Sequence, residues 1–332
     1  MWFRGQIAVL WLCCGVVICE AQPPPGYYDS AEGKAGPELR QALHMIIQGH
    51  TVIPYSSPNF DTSDALKVLD EDPANTNNVI LIYSDRSEPK ITFGFLTGWN
   101  REHLWPNSYG IDDRPPAYSD LHNLRAADLN VNSARGNKLF DISNTNDLLY
   151  QFPASLEALL TSTDSDSWEP PSASKGDIAR AVFYMAVRYS GPTNGPEPVL
   201  FLTDALRQIS SSTNLMGRLS TLLLWHMTDP VNDTERLRNE KIFTLYQHSR
   251  NPFVDRPEWV VSVFHPQLII VRDNTTATLR WPGRFVGAIV ESAQTFNEGW
   301  EIVAGMPVLT NMSWQLSVPL EGEFTLFRLH LR

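Results

Sequence analysis

Hydrophobic residues recur with a helical period over most of the chain and with a shorter period near its end. After Pro37, apolar side chains return every three or four positions, which predicts a helix that ends near Gly49. The same spacing predicts further helices, and Asp177 is suited to cap the one that follows it. Two short apolar runs predict strands. The predicted helices cover residues 62–69, 178–189, 213–227 and 233–248, and the two strands cover residues 78–83 and 91–96.

The pattern changes from about Pro266 onward, where short apolar stretches alternate with Gly and Pro turns. Several strands at close spacing without helical periods are typical of a small sandwich. We therefore predict an α+β protein with a main domain over residues 22–265 and a C-terminal β-sandwich-like domain over residues 266–332. The predicted strands cover residues 268–272, 276–281, 287–291, 300–303, 315–319 and 324–331.

The first 21 residues have the pattern of a secretory signal. Arg4 precedes an apolar run over residues 7–18, and Cys19, Glu20 and Ala21 form an acceptable cleavage site. A lipoprotein signal with Cys19 as the lipidated residue is the alternative, although Ile18 occupies a position where a small residue is preferred. No later stretch is long and apolar enough to span a membrane. These features predict a protein that is secreted or periplasmic and has no membrane partner.

The cysteine content and the net charge limit the kinds of site and of partner that the chain can have. All three cysteines lie within the predicted signal, so the mature chain folds without disulfides and has neither a thiolate zinc site nor a cysteine nucleophile. The net charge of -11 argues mildly against a nucleic-acid partner, because polyanion binders are usually basic. Residues 101–138 nevertheless carry four arginines and a lysine, which allows a local positive groove.

The segment over residues 99–137 holds the strongest candidate chemistry. Glu102 offers oxygen ligands for a hard cation, and His103 beside it offers a base. Residues 122–127 predict a second strand, and Asp128 is suited to cap a short helix after it. This order of strand, strand and helix would bring His103 and Asn137 together around one phosphate. Arginines within the segment suit a phosphate because they bind it bidentately.

The run Trp99-Asn100-Arg101-Glu102-His103 and, downstream, Val131-Asn132-Ser133-Ala134-Arg135-Gly136-Asn137 belong to a set of ordered motifs. Together these motifs resemble the secreted bacterial endonuclease I family, whose members are non-specific nucleases of the ββα-metal (His-Me finger) class. The resemblance extends over about residues 26–258, and several motifs in order are more specific than one short pattern. The central motifs are Trp99-Asn100-Arg101-Glu102-His103 with Trp105-Pro106, Tyr118-Ser119-Asp120-Leu121-His122-Asn123-Leu124, and Val131-Asn132-Ser133-Ala134-Arg135-Gly136-Asn137. Further matches are Gly26-Tyr27-Tyr28, Gly176-Asp177-Ile178-Ala179-Arg180-Ala181, Asp229-Pro230-Val231 and Arg250-Asn251-Pro252-Phe253.

The resemblance implies a role for individual residues. His103 matches the general base that activates water, and Glu102 and Asn137 match the two protein ligands of a single Mg²⁺, for which Mn²⁺ or Ca²⁺ are alternatives. An arginine on the phosphate is expected, and Arg125 and Arg135 are the candidates. The implied substrate is DNA, with RNA as a second substrate, contacted through its phosphate backbone by a monomeric enzyme.

Other readings stay open at this point. A catalytically inactive secreted protein that binds nucleic acid or a surface is the alternative function. His122 is interpreted as structural, and residues 161–174 are expected to form an exposed loop. Arg180, Tyr184 and Arg188 share one helix face, which predicts either a DNA groove or a solvated surface. The chain contains neither a His-Glu-x-x-His zinc motif nor a Gly-x-Ser-x-Gly elbow, which disfavours a zinc protease and an esterase.

Overall fold

The computed structural model describes residues 21–192, 195–210, 213–265, 268–273, 275–283, 287–294, 299–310, 313–319 and 325–330. The predicted signal lies outside the described residues except for Ala21, and all three cysteines lie outside them as well. Within the described ranges the chain is a mixture of helices and small sheets, as the α+β prediction requires.

Eight α-helices lie within the described ranges. Helix α1 begins at Gly36, one residue before the predicted start at Pro37, and α2 has the predicted bounds. Short π-helical turns, Ile242–Tyr246, continue α6. The helices are α1 (Gly36–Ile47), α2 (Thr62–Leu69), α3 (Leu129–Arg135), α4 (Lys175–Arg188), α5 (Leu219–Thr228), α6 (Asp233–Lys241), α7 (Pro252–Asp255) and α8 (Trp259–Phe264).

The strands of the first 265 residues form small sheets of two or three strands, with orders β1-β2-β3, β4-β5, β6-β8-β7 and β10-β9. They are β1 (Glu71–Asp72), β2 (Asn75–Ile80), β3 (Ser87–Pro89), β4 (Trp99–His103), β5 (Leu124–Asp128), β6 (Leu139–Phe140), β7 (Ser162–Thr163), β8 (Ser167–Glu169), β9 (Phe201–Leu202) and β10 (Leu215–Met216).

The C-terminal strands form two antiparallel sheets, in agreement with the predicted sandwich-like part. One has the order β11-β12-β16-β15 and the other the order β14-β13-β17. Trp281 is buried among the apolar side chains that line these sheets, as a sandwich core requires. The strands are β11 (Ile269–Arg272), β12 (Thr276–Pro282), β13 (Ile289–Ala293), β14 (Glu301–Ile302), β15 (Val308–Thr310), β16 (Ser313–Pro319) and β17 (Leu326–His330).

The element that positions the candidate site is the unit β4-β5-α3. Strands β4 and β5 pair antiparallel from Trp99 opposite Asp128 to His103 opposite Leu124. Asp128 then caps α3, because its carboxylate accepts hydrogen bonds from the backbone N–H groups of the next turn. Gly136 ends the helix with a φ of 56°, a conformation that favours glycine. The ββα core that the family resemblance implies is therefore present.

Helix α4 runs through the interior, which contradicts both alternatives predicted for its polar face. Arg180, Tyr184 and Arg188 are fully buried, so they line neither a DNA groove nor a solvated face. Arg180 lies 2.6 Å from Glu235 and Arg188 lies 2.6 Å from Glu197, because a buried guanidinium requires a carboxylate partner. A helical period cannot distinguish a charged surface from a buried ion pair.

Some predicted elements differ from those in the structure. Helix α4 begins at Lys175, so Asp177 lies in its first turn rather than at the cap. Residues 91–96 are not a strand but a 3-10 turn, Lys90–Thr92, and bends. Residues 161–174 are not an exposed loop, because β7 and β8 lie there and Trp168 is fully buried. In each case tertiary packing overrides a local pattern.

The helices of the described ranges are all too short or too polar to cross a membrane.

Candidate active site

Glu102 and His103 are neighbours on β4, and their side chains have separate surroundings. Successive side chains of a strand point to opposite faces of the sheet. Glu102 contacts Tyr83 and Arg135, whereas His103 stacks near Tyr55 and Tyr118. The end of β4 thus presents a carboxylate on one side and an imidazole on the other, within one peptide unit.

Glu102 is buried and is held through a single oxygen. The Tyr83 hydroxyl donates to Glu102 Oε1 at 2.5 Å, and Arg135 Nη1 donates to the same oxygen at 2.8 Å. Burial raises the pKa of Tyr83 well above its usual value, so the phenol keeps its proton and remains a donor. Burial also raises the pKa of Glu102, against the opposing effects of Arg135 and Tyr83. Among the described residues, Glu102 Oε2 has no hydrogen-bond partner.

The His103 imidazole has a defined tautomer. His103 Nε2 lies 2.8 Å from the backbone carbonyl oxygen of Tyr118. Because a carbonyl only accepts, Nε2 must carry the proton, which leaves the lone pair on Nδ1. Burial lowers the pKa of His103 to about 4, although the Tyr118 carbonyl acts in the opposite direction. The ring is therefore neutral near pH 7 and is suited to accept a proton at Nδ1.

Asn132 on helix α3 and Asn137 just after it have different surroundings. Asn132 donates its amide to Asn100 Oδ1 at 2.8 Å and to the carbonyl oxygen of Arg101 at 3.2 Å. Asn100 is two residues before Glu102, so Asn132 packs on the face of β4 that carries this carboxylate. Asn137 is exposed beyond the helix end, and its backbone carbonyl accepts a hydrogen bond from the Tyr109 hydroxyl at 2.8 Å, while its side chain has no hydrogen-bond partner among the described residues. The structure thus brings Asn132 against β4 and leaves the Asn137 side chain in solvent.

The two arginines that were candidates for the phosphate point into the protein. Arg135 is 1% exposed and donates to Glu102 and to the carbonyl oxygens of His103 and Leu104. Arg125 lies 3.2 Å from Asp70 and 3.5 Å from Asp177, with 15% of its side chain exposed. Both guanidinium groups are paired with carboxylates, so the charge of neither is displayed for a phosphate in this arrangement.

Two further residues contribute to the site. Tyr83 precedes β4 by a long stretch of chain, and no local pattern links it to Glu102. Arg101, however, lies two positions before His103 on the same strand, so the strand period alone places both on one face. Its guanidinium lies 3.6 Å from the centre of the Tyr55 ring and donates to the Tyr55 carbonyl oxygen and to Thr62 Oγ1. Unlike Arg125 and Arg135, Arg101 has no carboxylate within ion-pair distance in the described ranges.

The donor set of this site fits a hard cation with few protein ligands. Among the described residues, no three His, Cys, Asp or Glu side chains are grouped to enclose a metal ion. Glu102 Oε2 and the amide oxygen of Asn132 each lack a hydrogen-bond partner within the described part of the chain. One carboxylate and one amide with several waters suit Mg²⁺, which keeps much of its hydration shell.

Comparisons with known proteins show the family of this chain. The chain is 45% identical over 250 residues to an extracellular ribonuclease of Bacillus amyloliquefaciens, and the matched region covers 75% of this chain and 81% of the relative. It is 46% identical over 241 residues to an extracellular ribonuclease of Bacillus subtilis (strain 168), and the matched region covers 72% of this chain and 78% of the relative. The model of the Endonuclease I family matches residues 35–258, which include the whole β4-β5-α3 unit. This chain belongs to the endonuclease I family.

Proposed function

We propose that this protein is a secreted, metal-dependent endonuclease that hydrolyses phosphodiester bonds in DNA and RNA with little sequence preference. The observation that carries the proposal is the tautomer of His103, which leaves the Nδ1 lone pair available at the end of β4, while the next residue along the strand is a buried carboxylate whose Oε2 has no hydrogen-bond partner among the described residues. The relatives named extracellular ribonucleases support both secretion and an RNA substrate. Monomeric behaviour and contacts through the phosphate backbone are part of the same proposal.

In this proposal His103 is the general base. Nδ1 accepts a proton from the attacking water, while the Tyr118 carbonyl holds the ring in place. Arg101 lies on the same face of β4 and is the proposed phosphate contact, in place of Arg125 and Arg135. The acquired proton then leaves His103 to solvent, which restores the base.

The proposed cation is Mg²⁺, with Mn²⁺ or Ca²⁺ as alternatives. Glu102 would bind it through Oε2, and the second ligand would be Asn137, as the family resemblance implies, or Asn132, which packs on the same face as Glu102. A bound divalent cation neutralises charge on the phosphodiester and on the leaving oxygen. Glu102 and the asparagine contribute by fixing the position of that charge.

The test is cleavage of supercoiled plasmid and of single-stranded RNA, with and without EDTA. We expect nicking and RNA cleavage that EDTA abolishes and excess Mg²⁺ restores. Binding of nucleic acid without cleavage under all metal conditions would favour the alternative, an inactive secreted binding protein on the same scaffold. Cleavage that resists EDTA would show that the reaction proceeds without the cation.

A further inference from the structure

The two oxygens of the Glu102 carboxylate differ in their hydrogen bonds. Tyr83 and Arg135 both donate to Oε1, at 2.5 Å and 2.8 Å, and Oε2 has no partner in the described part of the chain. Both donors are buried, at 1% exposure each. A carboxylate held in this way can offer only one oxygen to a cation without breaking a buried hydrogen bond.

The donors are themselves fixed, so the carboxylate has little freedom to turn. The Tyr83 ring packs edge-on against Trp168, with ring centres 5.5 Å apart. Arg135 is held by the backbone carbonyl oxygens of His103 and Leu104 and lies 4.4 Å from the centre of the Phe140 ring. Rotation of the Glu102 carboxylate would leave a buried guanidinium without its anion, which is strongly unfavourable.

The limit of one available carboxylate oxygen affects Mg²⁺ and Ca²⁺ differently, because the two cations differ in size and in coordination number. Mg²⁺ requires nearly ideal octahedral geometry and binds few protein oxygens, so it suits a single fixed carboxylate oxygen. Ca²⁺ takes six to eight oxygens in flexible geometry and often binds both oxygens of one carboxylate. The geometry points to Tyr83 and Arg135 as positioning residues that hold Glu102 in a one-oxygen mode and so select Mg²⁺ over Ca²⁺. This inference rests on the proposed function, because it requires a cation at Glu102.

The experiment measures cation binding directly and does not rely on cleavage. Mn²⁺ is added to the full chain, free Mn²⁺ is measured by electron paramagnetic resonance, and Mg²⁺ or Ca²⁺ is titrated in as competitor. Tyr83→Phe removes the hydroxyl and keeps the ring. We expect it to weaken Mg²⁺ binding by roughly 10- to 100-fold, the range typical for loss of a residue that orients a metal ligand. Ca²⁺ binding should weaken less, so that the ratio of the two affinities shifts toward Ca²⁺ by roughly tenfold.

The matched control is Tyr28→Phe. Tyr28 donates to Asp255 Oδ2 at 2.7 Å, and Arg250 donates to the same oxygen at 2.8 Å, so this triangle reproduces the one around Glu102 elsewhere in the chain. Tyr28→Phe should therefore leave both affinities unchanged. Should Tyr83→Phe unfold at the assay temperature, Arg135→Lys tests the same anchor, because lysine keeps the charge but lacks the planar fork. It should shift the ratio in the same direction.

The outcomes separate this inference from the proposed function. A wild-type chain that binds Mg²⁺ and a folded Tyr83→Phe chain with the same two affinities would overturn the inference and leave the nuclease proposal intact. A wild-type chain that binds no Mn²⁺, or a Glu102→Gln chain that binds like wild type, would overturn both.

Discussion

At the scale of single residues, His103 is the group on which the proposed reaction depends. We predict that His103→Ala lowers plasmid cleavage by roughly 10²- to 10⁴-fold, the range typical for loss of a positioned base. The matched control is His122→Ala, because His122 is also buried and its Nε2 also lies near a carbonyl oxygen, that of Ser249 at 3.2 Å. That variant should lose stability but keep its rate per folded molecule. Equal rates for wild type and a folded His103→Ala chain would refute the assignment.

The environment of His103 also predicts a pH dependence. Only the neutral ring can accept a proton, and burial lowers the pKa of His103 to about 4. The cleavage rate of the metal-loaded enzyme should therefore stay level as the pH falls from 7 to 5 and decline only toward pH 4. Rates measured over short times, with circular dichroism to confirm folding, test this. A midpoint near 6.5, the value of an unperturbed histidine, would show that the ring is solvated during the reaction.

Arg101 is the residue from which we expect a phosphate contact. Binding of duplex DNA to a His103→Ala chain should weaken with salt, with a slope of about -0.9 per phosphate contacted. Arg101→Gln should make this slope shallower by about one contact. Arg125→Gln serves as the comparison, because Arg125 faces Asp70 and Asp177 and should not alter the slope. A slope that changes with Arg125 but not with Arg101 would restore the assignment made from the sequence.

At the scale of elements, the end of helix α3 determines which asparagine faces the proposed cation site. We predict that Asn132→Ala raises the Mg²⁺ concentration for half-maximal cleavage by roughly tenfold or more, as loss of a metal-site residue typically does. Asn137→Ala should have the smaller effect, since this side chain is exposed beyond the helix end. The opposite ranking would show that the loop after α3 folds toward the site when the cation binds.

The same helix explains why the spacing of the motif could not settle the ligand set. Asn132 and Arg135 are three residues apart on α3 and therefore lie on one side of it, facing β4. Asn137 lies past Gly136, whose φ of 56° turns the chain away from the helix axis. The sequence shows that both asparagines follow Glu102, but only the end of the helix determines which one faces the strand.

At the scale of the whole molecule, the predicted boundary near residue 265 can be tested by truncation. The family match ends at residue 258, and every residue assigned to base, cation or phosphate precedes it. We predict that a chain ending at His265 stays soluble and cleaves plasmid. Its melting temperature should be lower, because Phe264 and Trp281 belong to one buried cluster and a cavity of about 610 Å³ is lined from both sides of the boundary. An aggregated and inactive fragment would show that the C-terminal sheets are part of one integrated fold.

The sequence by itself determined the features that depend on local order. The strand-strand-helix order, the cap at Asp128 and the adjacency of Glu102 and His103 follow from neighbouring residues, and each is present in the structure. The helix at residues 62–69 and the β-rich C-terminal part were predictable for the same reason. Apolar residues recur with a helical period in the first and in short strand-like stretches in the second. Several ordered motifs likewise identified the family without knowledge of the fold.

Only the tertiary structure decided which charges are buried and what holds the site. Arg135 and Arg180 have the same chemistry as surface arginines, and their burial depends on carboxylates far away in the chain, Glu102 and Glu235. Tyr83 reaches Glu102 because the chain between them folds back, and no periodicity encodes that contact. The physical reason is that hydrogen bonds and ion pairs of buried groups form between elements brought together by packing, whereas propensity and period act within one element.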